Sequence, residues 1–165
     1  MKRAQIGDVY AFKTDRGYRI MQWAHFIERW GYYIKIFPNF YAEKPENLDG
    51  IITGEYSYMI NCNAPKLYRK GIFELWGNIP ASEPFPKHAI EFRKYVGNSI
   101  YFRIYEFQGM LNQEVFIGDS TGTVIPEKYK ESKLISSIVP PYVFLYLLES
   151  DFDLQHFDLF WNPDE

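Results

Sequence analysis

The stretch that most constrains the chain is Ile6-Gly7-Asp8-Val9-Tyr10-Ala11-Phe12-Lys13, followed by Thr14-Asp15-Arg16-Gly17 and Tyr18-Arg19-Ile20-Met21-Gln22-Trp23. It reads as two strands joined by a tight turn. Asp15 and Gly17 supply the turn chemistry, since glycine takes positive φ at no steric cost. Val9, Tyr10, Phe12, Ile20, Met21 and Trp23 are residues that a pleated, half-buried surface favours. Such a hairpin predicts a curved sheet or the start of a barrel.

The rest of the chain agrees with a sheet. Aromatic residues make up 19% of it, with 14 Tyr and 14 Phe. Ala and Leu, the good helix formers, are scarce. The fold class predicted is mainly β (α+β): a strongly curved antiparallel sheet or partly open β-barrel with one short C-terminal helix. With no repeat, low-complexity tract or linker, residues 1–165 read as a single domain. The aromatic excess also predicts a surface suited to protein contacts, because aromatic side chains are the usual anchors of interfaces.

Further elements follow from local chemistry. Residues 23–30 continue a strand that Gly31 breaks. Tyr32–Phe37 is a strand that Pro38 should end, with Tyr32, Ile34 and Ile36 on one face and Tyr33, Lys35 and Phe37 on the other. Tyr41–Gly50 reads as loop, Glu55–Asn61 as a strand, Ala64–Lys70 as a basic connector and Gly71–Pro80 as a strand ending in a Gly-Asn turn. Ala89–Val96 is open between strand and helix. Ser99–Phe107 and Glu114–Ile117 read as strands, and Pro126–Lys133 as a helical turn. Pro140–Glu149 reads as the best helix, with Pro141 suited to a first helical position, while its β-branched and aromatic content keeps a strand open as the alternative. Phe152–Trp161 reads as a last strand.

Charge narrows the function. The net charge is −3, which argues against a nucleic-acid partner held by a basic face. No Lys or Arg follows Lys133, whereas Glu149, Asp151, Asp153, Asp158, Asp164 and Glu165 all lie beyond it. The C-terminal segment is thus an acidic, aromatic ribbon. The single cysteine, Cys62, excludes an internal disulfide and fits a reducing compartment. Met1–Gln5 leads straight into the first strand without an apolar run, and the apolar run near Ile138–Leu148 is too short and proline-broken to span a bilayer. A cytoplasmic protein without membrane association is expected.

Few residues suggest catalysis. His25, His88 and His156 have no metal-ligand spacing to one another or to Cys62. Cys62 lies between Asn61 and Asn63 with no base beside it, so a small buried side chain is the expected role. Gly118–Gly122 has the small polar residues of a phosphate loop but lacks its lysine and glycine spacing, and reads as an ordinary connection. Asp151 and Asp153 share a strand face. They could do acid–base work, form a solvated edge, or meet a basic partner, and the last two readings outweigh the first. Tyr101, Arg103 and Tyr105 on one strand face could stack single-stranded nucleic acid, although without a basic surround core packing or a protein contact fits better. No catalytic residue, metal or cofactor is expected. The candidate partner-binding residues are Asp151, Asp153, Asp158, Asp164, Glu165, Tyr101 and Tyr105.

Two stretches carry a family resemblance. The start Ile6-Gly7-Asp8-Val9-Tyr10-Ala11-Phe12 running into Gly17–Gln22, and Gly71–Pro80 followed by Pro84-Phe85-Pro86, resemble the immunity protein 26 family of bacterial polymorphic toxin systems. Gly7, Asp8, Gly17, Gly77 and Pro80 match as structural positions only. The resemblance implies a mostly β, cytoplasmic, non-enzymatic protein that binds a cognate toxin domain and blocks it. A basic nuclease would suit the acidic tail. The alternative is a small β-barrel module that binds nucleic acid or a small ligand.

Overall fold

A computed structural model describes residues 4–27, 31–62, 64–81, 84, 88–94, 100–108, 111–116 and 134–150; the strands between 88 and 139 are described by their backbone pairing. The chain groups into two compact units, residues 1–84 with 138–151, and residues 85–137 with 152–165.

The first unit contains β1 (Asp8–Thr14), β2 (Gly17–Ile27), β3 (Gly31–Tyr41), β4 (Tyr58–Cys62) and β5 (Phe73–Asn78). They form an open antiparallel sheet in the order β5-β1-β2-β3-β4. The predicted hairpin is present: Thr14 pairs with Gly17, so Asp15 and Arg16 form the loop. The Thr14 hydroxyl closes it, donating to the Gly17 carbonyl at 2.8 Å and accepting from the Arg16 amide. Gly17 has φ +117, and a Cβ there would lie 2.6 Å from the Tyr41 carbonyl oxygen. Glycine is required for both reasons.

Both faces of this sheet are covered. On one, Val9, Ala11, Ile20, Phe37 and Trp76 pack with Leu48 and Ile52 of a short helix, α1 (Leu48–Ile52). On the other, aromatic rings interlock edge-on. Tyr10 meets Trp23 at 4.4 Å and Tyr68 at 5.1 Å, and Phe73 meets Phe12, Trp23 and Phe144 at 6.0–6.1 Å. Each such pair contributes about 0.5–1.5 kcal/mol beyond its burial. Two-sided cover explains why Tyr33 through Phe37 are all buried although their side chains alternate in direction.

Three expectations are corrected here. Pro38 does not end β3, which runs on to Tyr41. The register steps from Met21↔Ile36 to Arg19↔Phe40, so β3 carries extra residues at this point and Pro38 sits in the bulge. There no ladder N–H is demanded of it. The loop read over Tyr41–Gly50 gives way to α1 at Leu48, where the Asn47 side chain accepts from the Gly50 amide at 2.9 Å as an N-cap. The connector at Ala64–Lys70 is a helix, α2 (Ala64–Arg69), with Pro65 in its first turn. It stops where the Gly71 amide reaches the Tyr68 carbonyl and Gly71 turns to φ +70.

The second unit holds β6 (His88–Lys94), β7 (Ile100–Gln108), β8 (Leu111–Phe116) and the first four residues of β9 (Leu134–Val139). β7 pairs antiparallel with β6 and β8, and β9 meets β6 in parallel at Ile90↔Ile135. The open reading of Ala89–Val96 thus resolves as strand over Ala89–Lys94, its last two residues lying outside the described residues, and β9 was not foreseen. The helix α3 (Pro141–Glu149) belongs to the first unit, with Pro141 in its first turn as expected. The readings over 28–30, 118–122, 126–133 and 152–161 lie outside the described residues. The mainly β architecture with a short C-terminal helix is as predicted. No helix among the described residues is long and apolar enough to cross a membrane.

Candidate functional site: a buried clasp and an outward helix face

The two stretches that carry the family resemblance meet in space. Asp8 stands opposite Asn78 in the β1–β5 pairing. One carboxylate oxygen of Asp8 accepts from the Asn78 amide at 2.9 Å; the other accepts from the Gln5 backbone amide at 2.8 Å and the Tyr10 hydroxyl at 3.1 Å. Gly7 joins three segments: its amide donates to the Trp23 carbonyl at 2.8 Å, and its carbonyl accepts from the Ile79 amide at 2.9 Å. The Gln22 side chain completes the clasp by donating to the Ile79 carbonyl at 2.7 Å. Gly7 has φ +90, and a Cβ would lie 2.9 Å from the Ile79 oxygen.

The chemistry available to this cluster is structural. Asp8 is 1% exposed and its carboxylate already has three donors. Burial, reinforced by the neighbouring Asp8, raises the Tyr10 phenol well above its usual range, so the hydroxyl stays protonated and donating. Such a network holds strands in register.

Buried cations are likewise placed on rings and carbonyls. Arg19 is buried, donates to the Pro38 carbonyl at 2.8 Å and lies 4.6 Å from the Phe40 centroid, with Arg16 4.2 Å from the same ring. The buried Lys35 ammonium sits 4.8 Å from the centroid of Tyr56. Burial raises the Tyr58 phenol, with the Arg19 charge opposing; its hydroxyl donates to the Leu147 carbonyl at 3.1 Å and so ties β4 to α3.

α3 buries Phe144, Leu147 and Leu148 and turns Tyr142 and Tyr146 outward, 75% and 56% exposed. The two tyrosines are one turn apart, and Glu149 continues the same exposed strip. Sequence reasoning missed this pair. The signal was there: tyrosines at i and i+4, out of phase with the apolar positions at 144, 147 and 148.

Of the residues expected to bind a partner, Asp151, Asp153, Asp158, Asp164 and Glu165 lie outside the described residues. Tyr101 and Tyr105 fall on β7, where the backbone pairs them with Arg93 and Ala89, and Arg103 with Glu91. This places Tyr101, Arg103 and Tyr105 on one face of the strand. His25 is half-buried in β2, His88 begins β6, and His156 is outside the described residues. Cys62 is buried at the end of β4, and desolvation pushes its thiol up to about 12. Among the described residues no three His, Cys, Asp or Glu side chains group as metal ligands would.

Compared with protein-family models, curated proteins and solved structures, the chain matches none.

Proposed function

We propose that this chain is a non-enzymatic, cytoplasmic immunity protein that binds a cognate bacterial toxin domain and occludes its active cleft. The observation that carries the reading is the outward face of α3, where Tyr142 and Tyr146 stand exposed beside Glu149. Exposed aromatics are the residue class that anchors protein interfaces. The chain that follows adds Asp151, Asp153, Asp158, Asp164 and Glu165 with no cation. Exposed aromatic side chains and an acidic C-terminal sequence suit a basic toxin such as a nuclease, because charge complementarity speeds encounter and sets specificity. The resemblance of the Gly7-Asp8 and Gly77-Asn78 stretches to the immunity protein 26 family points the same way.

The test is co-purification of the tagged chain with the toxin domain encoded beside its gene, at moderate salt, with toxin activity as the second readout. A stable complex without toxin activity supports the proposal. Absence of a complex, or a complex in which the toxin stays active, overturns it and favours a ligand-binding module.

A further inference from the structure

We infer that the connection between β3 and β4 is an edge guard: it lays Lys44 on the Trp76 carbonyl of β5 and so closes the outer edge of the first unit's sheet to strand addition by a second copy of the chain. This is independent of the toxin-binding reading.

Three observations carry it. First, the edge needs protection. Among the described residues β5 pairs with β1 alone, and its Glu74 and Leu75 are exposed, Leu75 by 42%. A strand with one neighbour presents backbone groups with which another chain can pair. Second, the connection is far longer than its ends require. β3 and β4 are antiparallel neighbours, which two residues can join, yet residues 42–57 run between them. The extra chain crosses the sheet. Leu48 and Ile52 pack in one cluster with Phe37 of β3, Ile20 of β2, Val9 and Ala11 of β1 and Trp76 of β5, and a Cβ on Gly77 would lie 3.5 Å from the Leu48 side chain. The connection returns to its start where the Ser57 amide donates to the Ile36 carbonyl at 2.8 Å. Third, the crossing brings a cation to the edge backbone: the Lys44 ammonium donates to the Trp76 carbonyl. Trp76 is the bulge residue, lying between Leu75, opposite Tyr10, and Gly77, opposite Val9, with no counterpart of its own on β1. A bulge and a lysine are two of the means by which an edge is kept from pairing. The bulge bends the strand out of a flat register, and an incoming strand would have to displace the ammonium or bury its charge.

Sedimentation velocity of the full chain over a concentration series tests the guard. Lys44→Met keeps the aliphatic stem and removes the ammonium; it should self-associate about ten-fold more tightly than the parent, the scale of one hydrogen bond to a charged group. Lys44→Arg keeps a cation with donors and should stay within about two-fold of the parent. Adding Leu75→Lys to Lys44→Met returns a charge to the same edge and should restore the parental level. In associated Lys44→Met, amide exchange along Phe73–Asn78 should slow, which places the contact on folded β5. Association of Lys44→Met no tighter than that of the parent overturns the inference. Association that persists with Leu75→Lys, or that leaves β5 exchange unchanged or faster, lies elsewhere or follows unfolding, and overturns it as well. A parent that already associates and loses this on Leu75→Lys alone has an open edge, which also overturns it.

Discussion

Asn78 donates to Asp8 at 2.9 Å across the β1–β5 pairing, joining the beginning of β1 to the end of β5 over seventy residues of chain. The same carboxylate also holds Gln5 and Tyr10. The Gly-Asp start and the Gly-Asn stop, which look like two separate turn signals in the sequence, are therefore halves of one joint. The joint fixes which edge of the sheet β5 occupies, and through Phe73 it sets the aromatic layer on which α3 rests.

Replacing Asp8 by Ala should cost about 3 kcal/mol in urea unfolding, because it leaves three donors without their acceptor, two of them side-chain groups. Asn78→Ala removes the amide that donates both to Asp8 and to the Ile6 carbonyl, and should cost about 1–2 kcal/mol. In a double-mutant cycle the pair should couple by about 1 kcal/mol or more. Strict additivity would mean that the bond does not hold the strands together.

Gly7 and Gly31 provide an internal comparison, since both sit at φ +90. An alanine Cβ at Gly7 meets the Ile79 carbonyl oxygen at 2.9 Å, whereas at Gly31 it meets nothing within 4 Å. Gly31→Ala should cost only the left-handed backbone penalty, about 1 kcal/mol. Gly7→Ala adds a clash with backbone that is itself hydrogen-bonded, and should cost at least about 1 kcal/mol more. Thermal unfolding of the two variants side by side decides the matter; equal midpoints would remove the Gly7 clasp from the account.

Much of the first unit was legible because its signals are local. Asp15 and Gly17 announced the hairpin turn, Gly77-Asn78 the end of β5, and Pro141 the start of α3. What stayed hidden depended on partners distant in sequence. Pro38 looked like a strand terminus because a bulge opposite Ile20 cannot be read from β3 alone. α1 is five residues long, and its cap Asn47 lay among breakers that read as loop. The α3 face was missed for the same reason. The tyrosine spacing was visible, but which side of the helix is buried is decided by Phe73 and Tyr58, far away in the chain.

The Tyr58 hydroxyl is the polar tie between β4 and α3, donating to a carbonyl in the last turn of the helix. The Ser150 hydroxyl reaches the same oxygen at 3.2 Å. Tyr58→Phe should therefore lower stability by about 1 kcal/mol, with Ser150 retaining part of the cap. The local readout is sharper than the global one: amide exchange in the last turn of α3 should speed up while β1 and β2 keep their protection. Uniform acceleration across the sheet would mean that Tyr58 supports the core rather than the helix.

Cys62 gives the pH test. Burial pushes its thiol from an ordinary value of 9.0 up to about 12, so the folded state keeps the proton over a range in which the unfolded chain releases it. A group whose folded pKa is raised stabilises fully below its unfolded pKa and loses that contribution as pH rises toward the folded value. Stability should thus hold up to about pH 9 and then fall, by about 1 kcal/mol between pH 9 and 10 from this one group. Tyr10, Tyr33 and Tyr58 are raised as well, but from an ordinary value of 10.0, so their losses begin at higher pH. Their onset overlaps the upper part of the window from about pH 8.5 to 10, so the thiol is isolated by comparison with Cys62→Ala, which leaves the three phenols unchanged. Urea midpoints of the parent and Cys62→Ala, measured across that window, should diverge in slope, the parent falling more steeply. Parallel curves would place the Cys62 thiol in contact with solvent, and rapid labelling of the native protein by a thiol reagent near neutral pH would say the same.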